Sequence, residues 1–265
     1  AYPGKVRYFR NSTNVGGDHN FELALNRGNG AFLKLHNDNL LVRNGSLTEL
    51  IKVITATRAE QPIIFCTNGN NNIVSGPIAV CTTMDEFVRH VSFFSTWIGG
   101  FGIWKEQFAS MPDFSVNAHL RLIQTDILFR LLATGKRAVV LYDVYFHGLD
   151  IGRKGGYNIA EVFGQNYLSI LKKYVTIGML DAAVFESEKE TILVRHIIPY
   201  YFDNTNGFSK TGFFRYMQDY MGDDYFYKAI ENLLAKEIAS PSITPQPEIP
   251  MQQQIAKHWR QINAH

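Results

Sequence analysis

Cysteine is scarce in this chain of 265 residues, which has only two, Cys66 and Cys81. They do not form a CxxC pair, and both lie in apolar surroundings. These features favour buried free thiols in a reducing compartment over a disulfide bond.

Long apolar runs and an excess of charge of one sign are also lacking. No apolar stretch approaches the ~20 residues that a membrane-spanning helix needs, and the residues from Ala1 onward do not have the pattern of a signal peptide. The net charge of +2 gives no broad electrostatic reason to expect nucleic acid as a partner. We therefore expect a cytoplasmic protein, and leave open peripheral contact with the inner face of the membrane and the formation of homo-oligomers.

The composition that remains is that of an ordinary globular protein. Hydrophobic residues make up 46% of the chain and charged residues 19%, which argues against disorder. Apolar spacing predicts an α/β arrangement in the first half and helices after it. The predicted strands include Lys5–Phe9, Pro62–Cys66, Ile78–Cys81 and Arg137–Tyr142. The predicted helices are Asp18–Arg27, Leu47–Thr57, one from Met84 to near Phe94, His119–Ala133, Ala160–Tyr174, Ala183–Tyr200, Phe213–Met221 and Asp224–Ile238.

A polar turn follows a short apolar stretch in the first quarter of the chain. The segment Phe32–Leu35 indicates a buried strand, and Asn37, Asp38 and Asn39 come soon after it. Strands of α/β sheets commonly present polar side chains at their carboxyl ends, where ligands bind. Hard divalent cations prefer such oxygen ligands. The alternative interpretation is a turn in which the two asparagines only make local backbone hydrogen bonds.

The order of elements around this turn resembles that of the family 2 glycosyltransferases, which have the GT-A fold. A strand leads into an N-x-G turn with Asn14 and Gly16, a helix that includes Asn20 follows, and the apolar strand and polar turn come next. The resemblance covers roughly residues 4 to 147. It implies that Asn14, Gly16 and Asn20 lie near the nucleotide of a nucleotide-sugar donor, with a UDP-sugar as the expected donor.

The polar turn stands where this family has its DXD motif, which holds a divalent ion, Mn²⁺ or Mg²⁺, against the donor diphosphate. Here the motif reads Asn37-Asp38-Asn39, so only the central acid is kept. The resemblance implies donor binding by these three residues and metal binding by Asp38, Asn39 and His147. The histidine is included because several relatives have one soon after a later strand, and imidazole suits Mn²⁺ better than Mg²⁺. A structural histidine is the alternative.

A second acid lies in the helix predicted at His119–Ala133. Residues 124–135 read Q-T-D-I-L-F-R-L-L-A-T-G, which resembles the family's E-D…R-L…G motif with Thr125 in place of the usual Glu. The resemblance implies that Asp126 is the catalytic base. Such a base takes the proton of the acceptor hydroxyl as that hydroxyl attacks the anomeric carbon of the sugar. The alternative is a solvated acid on a helix.

Glycines alternate with aromatic residues in the segment W-I-G-G-F-G-I-W at residues 97–104. In the resembled family this segment leads to the acceptor side of the site, so Trp97, Gly99, Gly100 and Trp104 are expected to shape the acceptor pocket. A glycine-kinked strand with core tryptophans is an equal alternative.

Three regions are expected. Residues 1–150 form a GT-A-like catalytic domain with a mixed sheet flanked by helices, 151–240 a helical C-terminal region, and 241–265 a Pro-rich linker with a tail helix. The second region begins with a glycine-rich basic loop, in which Arg153 and Lys154 close over the donor diphosphate or form a solvated linker. Because the family has further βα units before this point, the sequence predicts a catalytic domain without its amino-terminal third.

The expected function is transfer of a sugar, with inversion, from a nucleotide-sugar donor to a glycan or lipid-linked acceptor, as in bacterial surface-polysaccharide assembly. The competing class is a non-catalytic carbohydrate-binding or scaffolding module with a decayed GT-A fold. A glycoside hydrolase is disfavoured, because it needs a second catalytic carboxylate and no other acid has a comparable sequence context.

Overall fold

The computed structural model of the chain describes residues 6–70, 76–111, 113–149 and 155–239. Strands and helices mix in the first part and helices dominate after residue 158, so the protein is a mixed α/β protein. The strands are β1 Phe32–Lys34, β2 Leu40–Val42, β3 Ile63–Cys66, β4 Ile78–Cys81, β5 Gly102–Trp104, β6 Ala138–Leu141, β7 Phe146–Gly148, β8 Gly155–Asn158 and β9 Gly207–Ser209. The helices are α1 Gly17–Arg27, α2 Ser46–Ala56, α3 Met84–Val91, α4 Lys105–Ala109, α5 Ile123–Ala133, α6 Tyr167–Thr176, α7 Ala182–Ile192, α8 Ile198–Phe202, α9 Phe213–Tyr216 and α10 Asp224–Ala239.

The largest sheet in the described residues has three strands in the order β3-β6-β4. β3 is parallel to β6, with Ile63 opposite Ala138, and β4 is antiparallel to β6. Every residue of β3 and β6 is buried, which fits their continuous apolar, β-branched sequences. The other strands pair two by two: β1 with β5 and β2 with β7 antiparallel, and β8 with β9 parallel.

A hydrophobic cluster joins residues of this sheet to neighbouring elements. Its members come from α2, from strands β3, β5 and β6, and from Tyr145 and the first residue of β7: Leu50, Ile64, Cys66, Trp104, Val139, Leu141, Tyr145 and Phe146. Trp104 is fully buried, and its indole N–H donates to the Pro62 carbonyl oxygen at 2.7 Å. The prediction of buried free thiols is confirmed for both cysteines.

Most predicted elements of the first half are confirmed within a residue or two, and the differences have local causes. The strand predicted at Lys5–Phe9 is wrong for residues 6–9, which form no regular structure, with Val6 77% and Tyr8 84% exposed. No described strand pairs with them, and alternation alone does not supply a partner. α5 begins at Ile123 rather than His119, because Arg121 adopts a left-handed conformation with φ of 61°.

Two helices of the second half contain π-helical segments as well as α-helical ones. The π-helical segments are Ala160–Asn166 and Leu193–Ile197, and they continue directly into α6 and α8. The helices predicted over these residues are therefore continuous in the structure. The chain divides into two compact units, Ala1–Asp219 and Tyr220–His265, so residues on both sides of the predicted boundary at 150 lie in one unit. Residues 241–265 lie outside the described residues. No helix among those described is long and apolar enough to cross a membrane.

The start of α3 is fixed by a capping box, which gives a stability prediction. Thr83 Oγ1 accepts the Glu86 N–H at 3.1 Å, and Glu86 Oε2 accepts the Thr83 N–H at 3.2 Å. Thr83→Ala leaves a helix N–H without its partner, so it is expected to lower the free energy of unfolding by about 1 kcal/mol, measured by urea denaturation. Thr48→Ala, at an exposed position inside α2, is the control and should cost nothing. An equal loss in both variants would contradict the cap.

Candidate functional site

A cleft of about 310 Å³ opens at the amino end of α1, and the three residues predicted near the nucleotide line it. Asn14 Oδ1 accepts the Gly16 N–H at 2.9 Å, and Gly16 has a φ of +78°, which a glycine adopts without strain. Asn20 Oδ1 accepts from Asn11 Nδ2 at 3.0 Å. No side chain caps the helix at Gly16, so the positive end of α1 is available to a polar or anionic ligand.

α1 is tied to the beginning of α5, the helix that carries Asp126. The N–H of Ile123, the first residue of α5, lies near the Asp18 carboxylate. Burial raises the pKa of Asp18 above its ordinary value, although this N–H and the nearby Arg121 charge oppose the rise. A further hydrogen bond from Ser115 to Glu22 joins α1 to the turn before α5. The cleft at the amino end of α1 and the helix that carries Asp126 are therefore neighbours.

Asp126 is a buried acid, with 2% of its surface exposed. Its Oδ1 accepts from Asn117 Nδ2 at 2.9 Å, and its Oδ2 lies 3.6 Å from Arg130 Nη1 without a hydrogen-bond partner. The alternative of a solvated helical acid is thus wrong. Because the carboxylate is buried and Asn117 donates to it, an acceptor hydroxyl can contact it only after the residues around it move.

The polar turn presents one exposed acid and two buried amide oxygens. Asp38 is exposed, whereas Asn37 Oδ1 and Asn39 Oδ1 are buried and have no hydrogen-bond partner. The backbone of the turn does make hydrogen bonds. The Asn37 carbonyl accepts from the Leu40 N–H at 3.2 Å within the turn, and the Asn39 carbonyl accepts from the N–H of Leu149, far along the chain, at 2.7 Å. The two side-chain oxygens therefore remain acceptors without donors, a condition that a bound ligand would relieve.

His147, the histidine expected to bind metal, lies in the strand that pairs with the strand after this turn. It lies in β7 directly opposite Leu41, and both are exposed on the face of the ribbon opposite the buried Phe146. No group of three metal-binding His, Cys, Asp or Glu side chains occurs among residues 6–70, 76–111, 113–149 and 155–239. Arg153 and Lys154 lie outside the described residues.

Lys34, the last residue of β1, is a candidate that the sequence patterns do not single out. Lys34 Nζ donates to the carbonyl oxygens of Leu35, at 3.0 Å, and of Gly99, and it stands 5.1 Å from the centroid of the Phe146 ring. Burial lowers the pKa of Lys34 to about 8. An ammonium at this place repels a dication, and the turn offers a single, exposed carboxylate. The residues present therefore do not fit the expected divalent ion.

Residues 95–99, which we call the bridging segment, connect the two predicted acids. Gln124 Nε2 donates to the Thr96 carbonyl at 2.6 Å and Thr125 Oγ1 to the Ser95 carbonyl at 3.2 Å. The Gly99 carbonyl accepts from Lys34 on the other side. β1, whose end carries the polar turn, and α5, which carries Asp126, thus both bind the same short stretch of backbone.

Of the four residues predicted to shape an acceptor pocket, only Trp97 is not buried. Its ring lies edge to face with Phe146, with centroids 6.1 Å apart. Gly99 and Gly100 are buried where a side chain would collide with neighbouring rings. Trp104 belongs to the core, so the prediction that it contacts an acceptor is wrong, and the core-tryptophan alternative applies to it.

A second cleft, which sequence reasoning missed, lies between α3 and α7 and measures about 370 Å³. At its floor the Glu188 carboxylate accepts from Ser92 Oγ at 2.7 Å and from Tyr167 Oη at 2.8 Å. Burial raises the pKa of Glu188 to about 7. Ser92 has φ 54° and ψ −151°, a backbone conformation strained for any residue but glycine. Glu188 thus helps to hold the chain where α3 ends and the approach to the bridging segment begins.

Comparison of the chain with protein-family models gives no match, and comparison with curated protein sequences gives none either. A functional assignment therefore depends on the geometry described above.

Gly100, which follows the bridging segment, packs closely against β3, and a substitution there tests this packing. An alanine Cβ there would lie 2.5 Å from the Phe65 ring and 2.7 Å from the Cys66 carbonyl oxygen. Since both belong to buried β3, Gly100→Ala is expected to lower the free energy of unfolding by about 1–3 kcal/mol. The control is Gly148→Ala, whose Cβ meets nothing within 4 Å. Equal urea midpoints for the two variants would contradict this packing.

The buried Glu188 predicts a pH dependence of stability. Because its pKa is raised to about 7, the native state binds a proton that the unfolded state releases above its ordinary pKa of about 4.3. Its contribution to stability is therefore complete below that value and is lost as pH rises through 7. The free energy of unfolding should fall more between pH 5 and pH 8 in the wild type than in Glu188→Gln.

The matched control for this pH experiment is Glu190→Gln, an exposed acid on the same helix. Its curve should run parallel to that of the wild type. A Glu188→Gln curve that is also parallel would show that Glu188 titrates normally.

Proposed function

We propose that the protein is an inverting glycosyltransferase with a GT-A fold of the family 2 type. It transfers a sugar from a nucleotide-sugar donor to a glycan or a lipid-linked acceptor. One observation supports this above the others: the segments that carry the resemblance are physically connected. The cleft of Asn14, Gly16 and Asn20 is tied through Asp18 to α5, and α5 is tied through the bridging segment to the strand before the polar turn.

In this proposal the donor lies between the α1 cleft and the polar turn. The positive end of α1 suits the nucleotide's polar groups. The Oδ1 atoms of Asn37 and Asn39 accept hydrogen bonds from hydroxyl groups of the ribose or of the transferred sugar, because these two oxygens are acceptors that have no donor in the protein. No step passes through a divalent ion, because the donor set of the turn does not fit one.

Asp126 acts as the base. The acceptor hydroxyl attacks the anomeric carbon from the face opposite the leaving group, a C–O bond forms, and the proton passes to Asp126. The bond between the anomeric carbon and the phosphate oxygen breaks, and its electron pair leaves with the nucleoside diphosphate. The Arg130 guanidinium, 3.6 Å from Asp126, compensates the carboxylate charge before the reaction. Because Asp126 is buried, this step requires that Asn117 and its neighbours move when the acceptor binds.

A non-catalytic carbohydrate-binding module is the second candidate. The observation that favours it is the burial of Asp126, which is 2% exposed and already accepts a hydrogen bond from Asn117. Such a module would bind a sugar ligand at the polar turn without catalysing its transfer.

The two candidates differ in the effect of Asp126→Asn. If Asp126 is the base, this nearly isosteric change is expected to slow sugar transfer from a UDP-sugar by about 10²–10⁴-fold while UDP binding persists. Asp143→Asn, at an exposed position, is the control. Transfer that is undiminished in Asp126→Asn would remove Asp126 from the mechanism, and absence of turnover in the wild type would favour the binding module.

A further inference from the structure

Lys34 is a buried cation without a counter-anion. It has no ion pair with an acid in the part of the chain that the structure describes, and its Nζ contacts only carbonyl oxygens and the Phe146 ring. The nearest ionisable group is the Cys66 thiol, whose pKa burial raises to about 11. A neutral thiol cannot balance the ammonium. Lysines are almost never buried unless they are paired.

The position of this charge indicates what it pairs with. Lys34 ends β1, three residues before the polar turn begins at Asn37, and its Nζ reaches the Leu35 carbonyl on the way to that turn. The residue as a whole is half-buried. The turn that follows it in the chain carries the two amide oxygens, of Asn37 and Asn39, that lack donors. A ligand that carries both negative charge and hydroxyl groups matches this set, and a sugar diphosphate has both.

We infer that the Lys34 ammonium binds the diphosphate of the donor and takes the place of the metal ion at this turn. This inference rests on the proposed function only for the identity of the donor. The binding of a diphosphate by Lys34 does not depend on it. In the transfer step the leaving diphosphate gains negative charge as the bond to the anomeric carbon breaks. A fixed ammonium stabilises that charge, and it does so without a second acid or a metal in the turn.

Calorimetric titration with inorganic pyrophosphate, in buffer with excess EDTA at pH 7, tests this directly. The wild type should bind, and Lys34→Met should bind at least tenfold more weakly. Lys34→Arg keeps a positive charge and should retain much of the affinity. The matched control is Lys105→Met, because Lys105 Nζ also donates to a backbone carbonyl, that of Gly28 at 3.1 Å, and also lies over a ring, that of Phe108. This variant should bind as the wild type does.

Three results would overturn the inference. The wild type could bind pyrophosphate only when Mn²⁺ or Mg²⁺ is added, Lys34→Met could bind it with unchanged affinity, or Lys105→Met could lose as much affinity for it as Lys34→Met does. Failure of the proposed function is a separate result: if pyrophosphate binds through Lys34 but no UDP-sugar is turned over, the diphosphate site stands and the transferase does not. If a UDP-sugar is turned over but Lys34→Met binds pyrophosphate normally, the transferase stands and the inference fails.

A proton-linkage measurement tests the inference with a variant that keeps the positive charge. With a pKa of about 8, Lys34 is mostly neutral at pH 8.5 in the free protein, and a bound anion raises that pKa. Binding at pH 8.5 should therefore take up as much as about 0.7 proton more in the wild type than in Lys34→Arg, whose guanidinium does not titrate. Calorimetry in two buffers with different ionisation enthalpies measures the uptake. Equal uptake in both proteins contradicts the inference.

Discussion

Three carbonyl groups of the bridging segment accept side-chain hydrogen bonds from opposite sides, and the arrangement of the site depends on them. β1 contributes the Lys34 ammonium, and α5 contributes Gln124 and Thr125. Buried hydrogen-bonding groups are costly to leave without a partner, so these bonds hold the segment in one position. The polar turn and Asp126 are therefore placed relative to each other through five residues of backbone.

The two charged side chains attached to this framework are compensated in different ways. Asp126 has an arginine and an amide beside it, and a stable fold alone could account for it. Lys34 has only carbonyl dipoles and the face of a ring. An apolar residue of similar length would fill the same space without the cost of desolvating a charge. Packing therefore does not explain this lysine, whereas the binding of an anionic ligand does.

Sequence patterns predicted the local structure well and its environment poorly. The amphipathic spacing of α2 and the apolar run of β4 are short-range features, and the structure confirms both. The strand expected at residues 6–9 failed because pairing needs a partner that no local pattern supplies. Trp104 was assigned to an acceptor pocket, yet its burial follows from strands that converge on it. The roles of Lys34 and Glu188 were missed for the same reason, since their contacts come from residues far along the chain.

The central claim is that the α1 cleft, the polar turn and the bridging segment form one binding site for a sugar nucleotide. The most direct test is to titrate isotope-labelled protein with a UDP-hexose in EDTA buffer and follow backbone amide NMR shifts. We expect the amides of residues 14–20, 35–39 and 95–99 to shift together, with one dissociation constant. Saturating shifts confined to the cleft between α3 and α7, or no saturable shifts at all, would contradict it.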